Sequence, residues 1–206
     1  MNENTPEHLV VDELTVHRIN VQEADGRVRM VLSNGERLPG ATIRGKEYDP
    51  HRSHAGLIFF NDEETESGGF IFGGRDGRQS GSLTFDAYEQ DQVVQVLGTD
   101  GPEGIVAGVV VSERPRRSIA EDLDAVDRPR AEDQSSEVID DQMEGRERGR
   151  PRGFFGHRRG EAAVELADGE GRARLRLTVA ATGHAAIQFL DEQGEVIFES
   201  DAGGLS

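Results

Sequence analysis

The stretch Arg172-Ala-Arg-Leu-Arg-Leu-Thr-Val179 alternates strictly between apolar and polar positions. Ala173, Leu175, Leu177 and Val179 fall on one side of an extended chain; Arg172, Arg174, Arg176 and Thr178 fall on the other. Period two over such a run specifies a half-buried β-strand. Arg27-Val-Arg-Met-Val-Leu32 repeats the pattern, with Val28, Met30 and Leu32 expected inward. Shorter apolar runs predict further strands over 13–22, 55–60, 69–73, 81–86, 92–97, 104–111, 162–166, 184–190 and 195–199. Between them lie the turn signals Asp25-Gly26, Asn34-Gly35, Gly73-Gly74, Asp76-Gly77, Asp100-Gly101 and Asp168-Gly169. Short strands punctuated by glycine turns predict an all-β meander. Gly26–Leu32 also aligns with Gly171–Leu177, and Leu57–Glu63 with Ile187–Glu192, so a duplicated β-unit with an insertion is expected.

The pattern fails over residues 112–152, where only five of 41 residues are Leu, Ile, Val or Phe and 21 are charged. Such a stretch buries too little surface to offset its ordering entropy and reads as a disordered linker. Ile119, Leu123 and Val126 are spaced for a short amphipathic helix within it. The expected organisation is a flexible N-terminus (1–8), a main β domain (9–111), a charged linker or excursion (112–160), a C-terminal β unit (161–200) and a flexible C-terminus (201–206). Short strands and the absence of Trp leave sheet edges that need covering, so a homo-oligomer is expected, an interlocked trimer by analogy with other β-meander assemblies.

Charge narrows the function. The chain has 206 residues, 23 Lys+Arg against 40 Asp+Glu and a net charge of −17, which argues against nucleic-acid or anionic-membrane binding as the main task. Without cysteine there are no disulfides, thiolate metal sites or cysteine nucleophiles. No apolar run reaches the ~18 residues of a membrane span. The polar, acidic first residues are unlike a signal peptide, so a cytoplasmic location is expected.

Three stretches stand out together: Phe59-Phe-Asn-Asp-Glu-Glu-Thr-Glu-Ser-Gly-Gly-Phe-Ile-Phe-Gly-Gly74, Leu83-Thr-Phe-Asp-Ala-Tyr-Glu-Gln-Asp-Gln92 and Phe189-Leu-Asp-Glu-Gln-Gly-Glu-Val196. The set resembles a family of uncharacterised bacterial β-rich proteins over roughly residues 13–118 and 172–198. In that family's pattern the position of Glu64 is usually glycine, and the charged middle looks like its variable region. The C-terminal unit is loosely similar to repeats of trimeric fibre-like shafts. The resemblance implies no activity.

Two polar clusters are the candidates for chemistry. Asn61, Asp62, Glu63, Glu64 and Glu66 lie between two apolar strands, where oxygen ligands suit a hard cation, although the spacing is not that of an EF-hand. In Phe85-Asp-Ala-Tyr-Glu-Gln-Asp-Gln92, Asp86, Tyr88 and Gln90 share one face of an extended chain, and Ala87, Glu89 and Asp91 the other. Asp62, Glu63, Asp86 and Tyr88 are the candidate catalytic residues, with a carboxylate and a phenol for acid–base work. Asn61, Asp62, Glu66, Gln90 and Asp91 are the candidate ligand-binding residues. Asp49, His51 and His54 offer metal-ligand types without an identifiable fourth partner, so no metal site is assigned. Six arginines and two phenylalanines in residues 146–160 have the composition of a nucleic-acid segment, yet in so acidic a chain they are expected to meet the protein's own carboxylates.

The leading expectation is a non-enzymatic β-rich oligomeric interaction or structural protein. One alternative is a cofactor-independent small-molecule isomerase, lyase or hydrolase with its acidic site at a subunit boundary. Another is a cation- or carbohydrate-binding module built on the same loop.

Overall fold

A computed structural model describes residues 8–48, 54–131, 149–158 and 160–201. Its strands are β1 (Arg18–Gln22), β2 (Val28–Ser33), β3 (Ala41–Ile43), β4 (Lys46–Tyr48), β5 (Ala55–Phe60), β6 (Glu66–Arg75), β7 (Arg78–Asp86), β8 (Gln92–Asp100) and β9 (Val106–Glu113). Helix α1 (Ala120–Ala131) precedes β10 (Arg150–Arg158), β11 (Glu161–Ala167), β12 (Ala173–Val179), β13 (Ala185–Leu190) and β14 (Val196–Asp201). Twelve of the strands form one antiparallel sheet in the order β1-β2-β5-β6-β7-β8-β9-β10-β11-β12-β13-β14, and β3 and β4 pair separately. The fold is all-β, and the large sheet is a meander in which each strand lies beside the next in sequence, the β3–β4 hairpin set aside. No helix among the described residues is long and apolar enough to cross a membrane.

Several features depart from the sequence expectation, among them the β3–β4 hairpin, which lies outside every expected strand. The first strand begins at Arg18 rather than at 13, and residues 8–16 precede it without regular structure. The expected linker over 112–160 instead contributes α1 and all of β10, so the two β parts join in one sheet. Arginine and glycine hide β10 in the sequence, but its glycines have a packing reason. A Cβ on Gly156 would stand 2.2 Å from the Ala107 carbonyl oxygen, and one on Gly108 would stand 2.8 Å from the Phe154 ring. The missing side chains make room for Phe154, which is buried and carries the Arg158 guanidinium 3.6 Å above its ring. Pro151 lies at a register shift, where no ladder N–H is needed.

The registers line apolar residues into a continuous row across one face. Ile19 stands opposite Leu32, Leu32 opposite Leu57, Leu57 opposite Phe70, Phe70 opposite Leu83 and Leu83 opposite Val96. The row continues through Val109, Phe155, Val164, Leu177 and Ile187 to Ser200. From Leu57 to Val109 each member is thirteen residues beyond the last. A second row beside it includes Val94, Val111, Leu166, Leu175, Phe189 and Phe198. Much of this face is open to solvent: Phe70, Phe85, Phe155, Leu166, Phe189 and Phe198 are all exposed large hydrophobics. It also holds troughs of about 900 Å³ between β8 and β14 and about 570 Å³ between β6 and the Asp100–Ile105 end of β8.

The other face is polar toward the C-terminus, where Glu165, Arg176, Gln188 and Glu199 follow one another across four strands. Toward the N-terminus it carries the core: Val31, Leu38, Ile58 and Phe60, with Val28 and Ile71 packed against them. Leu38, Ile43 and Tyr48 of the excursion between β2 and β5 are buried as well. Val28 meets the core as expected, but beyond the bulge the expected facing of β2 is reversed. Val31 is 0% exposed and Leu32 49%. Alternation marks two faces but not which one the chain itself covers, and here a non-local excursion decides. Leu177, expected on a buried face, is 38% exposed.

Candidate functional site

In a sequential meander the connections alternate between the two ends of the sheet. One end gathers the turns at Glu23–Arg27, Asn61–Thr65, Ala87–Asp91, Asp168–Arg172 and Asp191–Glu195, together with the excursion that holds α1. In each turn the first residue donates its N–H to the carbonyl of the fifth and accepts from the N–H of the fourth. Four of them place a left-handed residue fourth, at Gly26, Glu64, Gly171 and Gly194 with φ 92°, 56°, 79° and 85°, and each sits beside a bulge in the ladder. This is the type I turn with a following bulge that suits a tight hairpin. Asn61 tightens its own turn: its Oδ1 accepts from the N–H of Glu63 at 2.9 Å and of Thr65 at 3.0 Å. Asp168 and Asp191 make the equivalent pair of bonds in theirs.

The fold brings the two candidate clusters together, since the 61–65 and 87–91 turns are near neighbours at this end. The Tyr88 hydroxyl donates to the Glu63 carboxylate, and this bond raises the phenol above its ordinary pKa. Asp62 accepts from Arg29, and its carbonyl accepts from Arg27 Nη1 at 2.6 Å. Reading forward along the chain, no base follows this loop before Arg75 and Arg78; Arg29 of β2 and Arg27 just before it reach the loop from the neighbouring strand. Asp62 and Tyr88 face solvent, their exposures being 80% for the Asp62 side chain and 62% for Tyr88.

The remaining candidates are held in different ways. Gln90 is buried and donates from Nε2 to the Arg117 carbonyl at 2.8 Å. Asp91 accepts from the N–H of Gln92 at 3.0 Å and lies 3.6 Å from Arg114 Nη1. Asp86 and Glu66 flank bulges, opposite Gln92 and Phe60 respectively. Of the metal-ligand types Asp49, His51 and His54, the first two lie outside the described residues. Arg150 and Arg152 of the arginine-rich stretch meet Glu170 and Glu113.

The residue that sequence reading missed is Glu89. It adopts φ 50° and is buried. Burial pushes its carboxyl up, but hydrogen bonds from Ser118 and Arg44 outweigh that effect and hold it below the ordinary glutamate value. Its carbonyl accepts from the Ile119 N–H at 2.8 Å, just before α1. Arg44 and Gly45, at the tip of the β3–β4 hairpin, reach the other turn: Arg44 N–H donates to Thr65 Oγ1 at 2.9 Å, and Gly45 N–H to the Glu64 carbonyl at 3.0 Å. Lys46 pairs with Asp124 of α1. Glu89 thus ties one turn, the accessory hairpin and the start of α1 together. Alternation alone places it with Ala87 and Asp91 on a strand face; only its turn conformation reveals the role.

At the opposite edge of the sheet, His184, Glu199 and Asp201 offer possible ligand atoms within 4.8 Å of one another, although Glu199 already accepts from Gln188 Nε2 at 2.7 Å. No protein-family model matches this chain, and no curated protein matches it.

Proposed function

We propose that the protein is a non-enzymatic, β-rich structural or interaction protein that works as a homotrimer. The observation that carries this reading is the apolar face spanning all twelve strands. Eleven strand gaps of about 4.8 Å make it about 53 Å wide, and two rows of side chains about 7 Å apart along the strands, with the reach of the side chains themselves, make it about 15 Å deep. That is about 800 Å² of side-chain surface per chain, the share each partner buries in a stable interface of standard size. A patch this large on a lone chain marks an interaction surface. The acidic constellation supports the same reading, because Asp62, Glu63 and Glu89 are engaged by Arg29, Tyr88 and Arg44, and Asp62 and Tyr88 project into solvent.

Sedimentation equilibrium tests it. The wild type is expected near three times the 22.5 kDa chain mass. Phe155→Asp, at a position already 66% exposed and in the middle of the long row, should lower the mass toward one chain while keeping β circular dichroism. A wild-type monomer at micromolar concentration refutes the proposal.

A further inference from the structure

Among the described residues, β1 and β14 each pair on one side only, so the sheet ends in two unpaired edges. Exposed edges template the addition of another strand, and natural proteins blunt them with proline or lysine. Neither β1 nor β14 contains either residue. The number of strands is even, so β1 and β14 run in opposite directions. A β14 placed beside the β1 of a second copy therefore continues the antiparallel alternation and keeps both faces on their own sides.

The side chains define the register of such a seam. The long apolar row leaves the sheet at Ile19 on one edge and at Ser200 on the other. Setting Ser200 opposite Ile19 continues it and places Phe198 against Val21. On the polar face, Asp201 then meets Arg18 and Glu199 meets Asn20. All five residues of β1 find a partner within β14. Sliding by two residues is the smallest shift that keeps the faces, and it pushes Gln22 past one end of β14 or Arg18 and Ile19 past the other. Pairing two β14 edges instead brings both copies of Glu199 and Asp201 onto one short ladder, where like charges repel.

We propose that copies of this chain join head to tail through a β14–β1 seam in this register, an inference that rests on the self-association proposed above. One edge of each kind per chain makes the contact heterologous, the type that generates closed rings when the rotation closes.

The cysteine-free chain permits a direct test. Directly opposed residues of an antiparallel pair have Cα atoms about 4.5–5.5 Å apart, within disulfide range. Asn20→Cys and Glu199→Cys chains, distinguished by tags of different mass, are co-expressed and mildly oxidised. The expected product is a disulfide-linked pair holding one chain of each kind, absent when either variant is expressed alone. Replacing Glu199→Cys by Ile197→Cys should cut its yield at least tenfold. A dominant link to position 197 overturns the register, and linking of either variant to itself overturns the head-to-tail arrangement. An oligomer by sedimentation that fails to cross-link overturns the seam while self-association stands; a monomer overturns both.

Discussion

Glu64 is a glutamate in a conformation that three equivalent turns give to glycine, and replacing it tests the turn geometry directly. Its φ of 56° lies in the left-handed region, which costs an L-residue about 1–2 kcal/mol. Glu64→Gly removes that strain and adds back about 0.4–1 kcal/mol of unfolded-chain freedom. Among the described residues its two hydrogen bonds are made by its backbone, from its N–H to the Asn61 carbonyl and to its carbonyl from the Gly45 N–H, so neither is lost. The net expectation is a gain of about 0.5–1 kcal/mol, or about 1–4 °C in Tm for a chain of this size. Gly194→Ala is the mirror experiment. Gly194 has φ 85°, and an added Cβ meets nothing within 4 Å, so only backbone strain is introduced and a loss of similar size should follow. Thermal and urea unfolding of both variants beside the wild type supplies the comparison. If Glu64→Gly is neutral or destabilising while Gly194→Ala behaves as expected, the Glu64 side chain makes a contribution that the backbone argument omits.

Other substitutions probe separate parts of the molecule. Asn61→Ala removes the acceptor of two turn N–H groups and should cost about 1–2 kcal/mol by urea unfolding. Ile58→Ala, at a fully buried core position, should cost about 2–5 kcal/mol, whereas Arg176→Ala, which loses a partly exposed ion pair with Glu165, should cost less than about 1 kcal/mol. Acid should destabilise the fold through carboxyls held below their ordinary values: Asp25, chiefly by the Arg27 backbone N–H; Asp168, where bonds from Arg172 and Glu170 outweigh burial; and Glu89. Their contribution is complete above the unfolded values near pH 4 and is lost as pH falls through the lower folded ones. Urea midpoints between pH 6 and 2.5 should therefore fall mainly below about pH 4, with a smaller acid-dependent loss in Glu89→Gln; an unchanged pH profile in that variant would refute the role assigned to Glu89.

Local pattern carried most of the meander. Arg172–Val179 and Arg27–Leu32 announce strands because alternation is a property of neighbouring residues. β10 escaped because its glycines matter only against Phe154 and the strand beside it, a relation between residues 108 and 156 that composition does not carry. The facing of β2 escaped because Leu38, Ile43 and Tyr48 reach the sheet through a long excursion. The candidate site divides the same way. Asn61 and Asp62 are conspicuous in the loop sequence, but Arg29 and Arg44 come to it from other strands and hairpins, through contacts separated by 33 and 45 residues.

The thirteen-residue step that runs from Leu57 to Val109 gives this part of the sheet a unit of elongation. Two steps, 26 residues, carry the chain out and back and return it to the same end with every side chain on its original face. Excision of Phe70–Gln95 would set Val96 where Phe70 stood, opposite Leu57, and would leave both outer edges of the sheet unchanged. Insertion of a copy of that segment would widen the sheet by two strands on the same terms. Width is thus adjustable in whole hairpins, independently of what the edges do, and a gene encoding such a chain could lengthen or shorten its product by duplication or loss of a short in-frame segment without re-encoding either terminus.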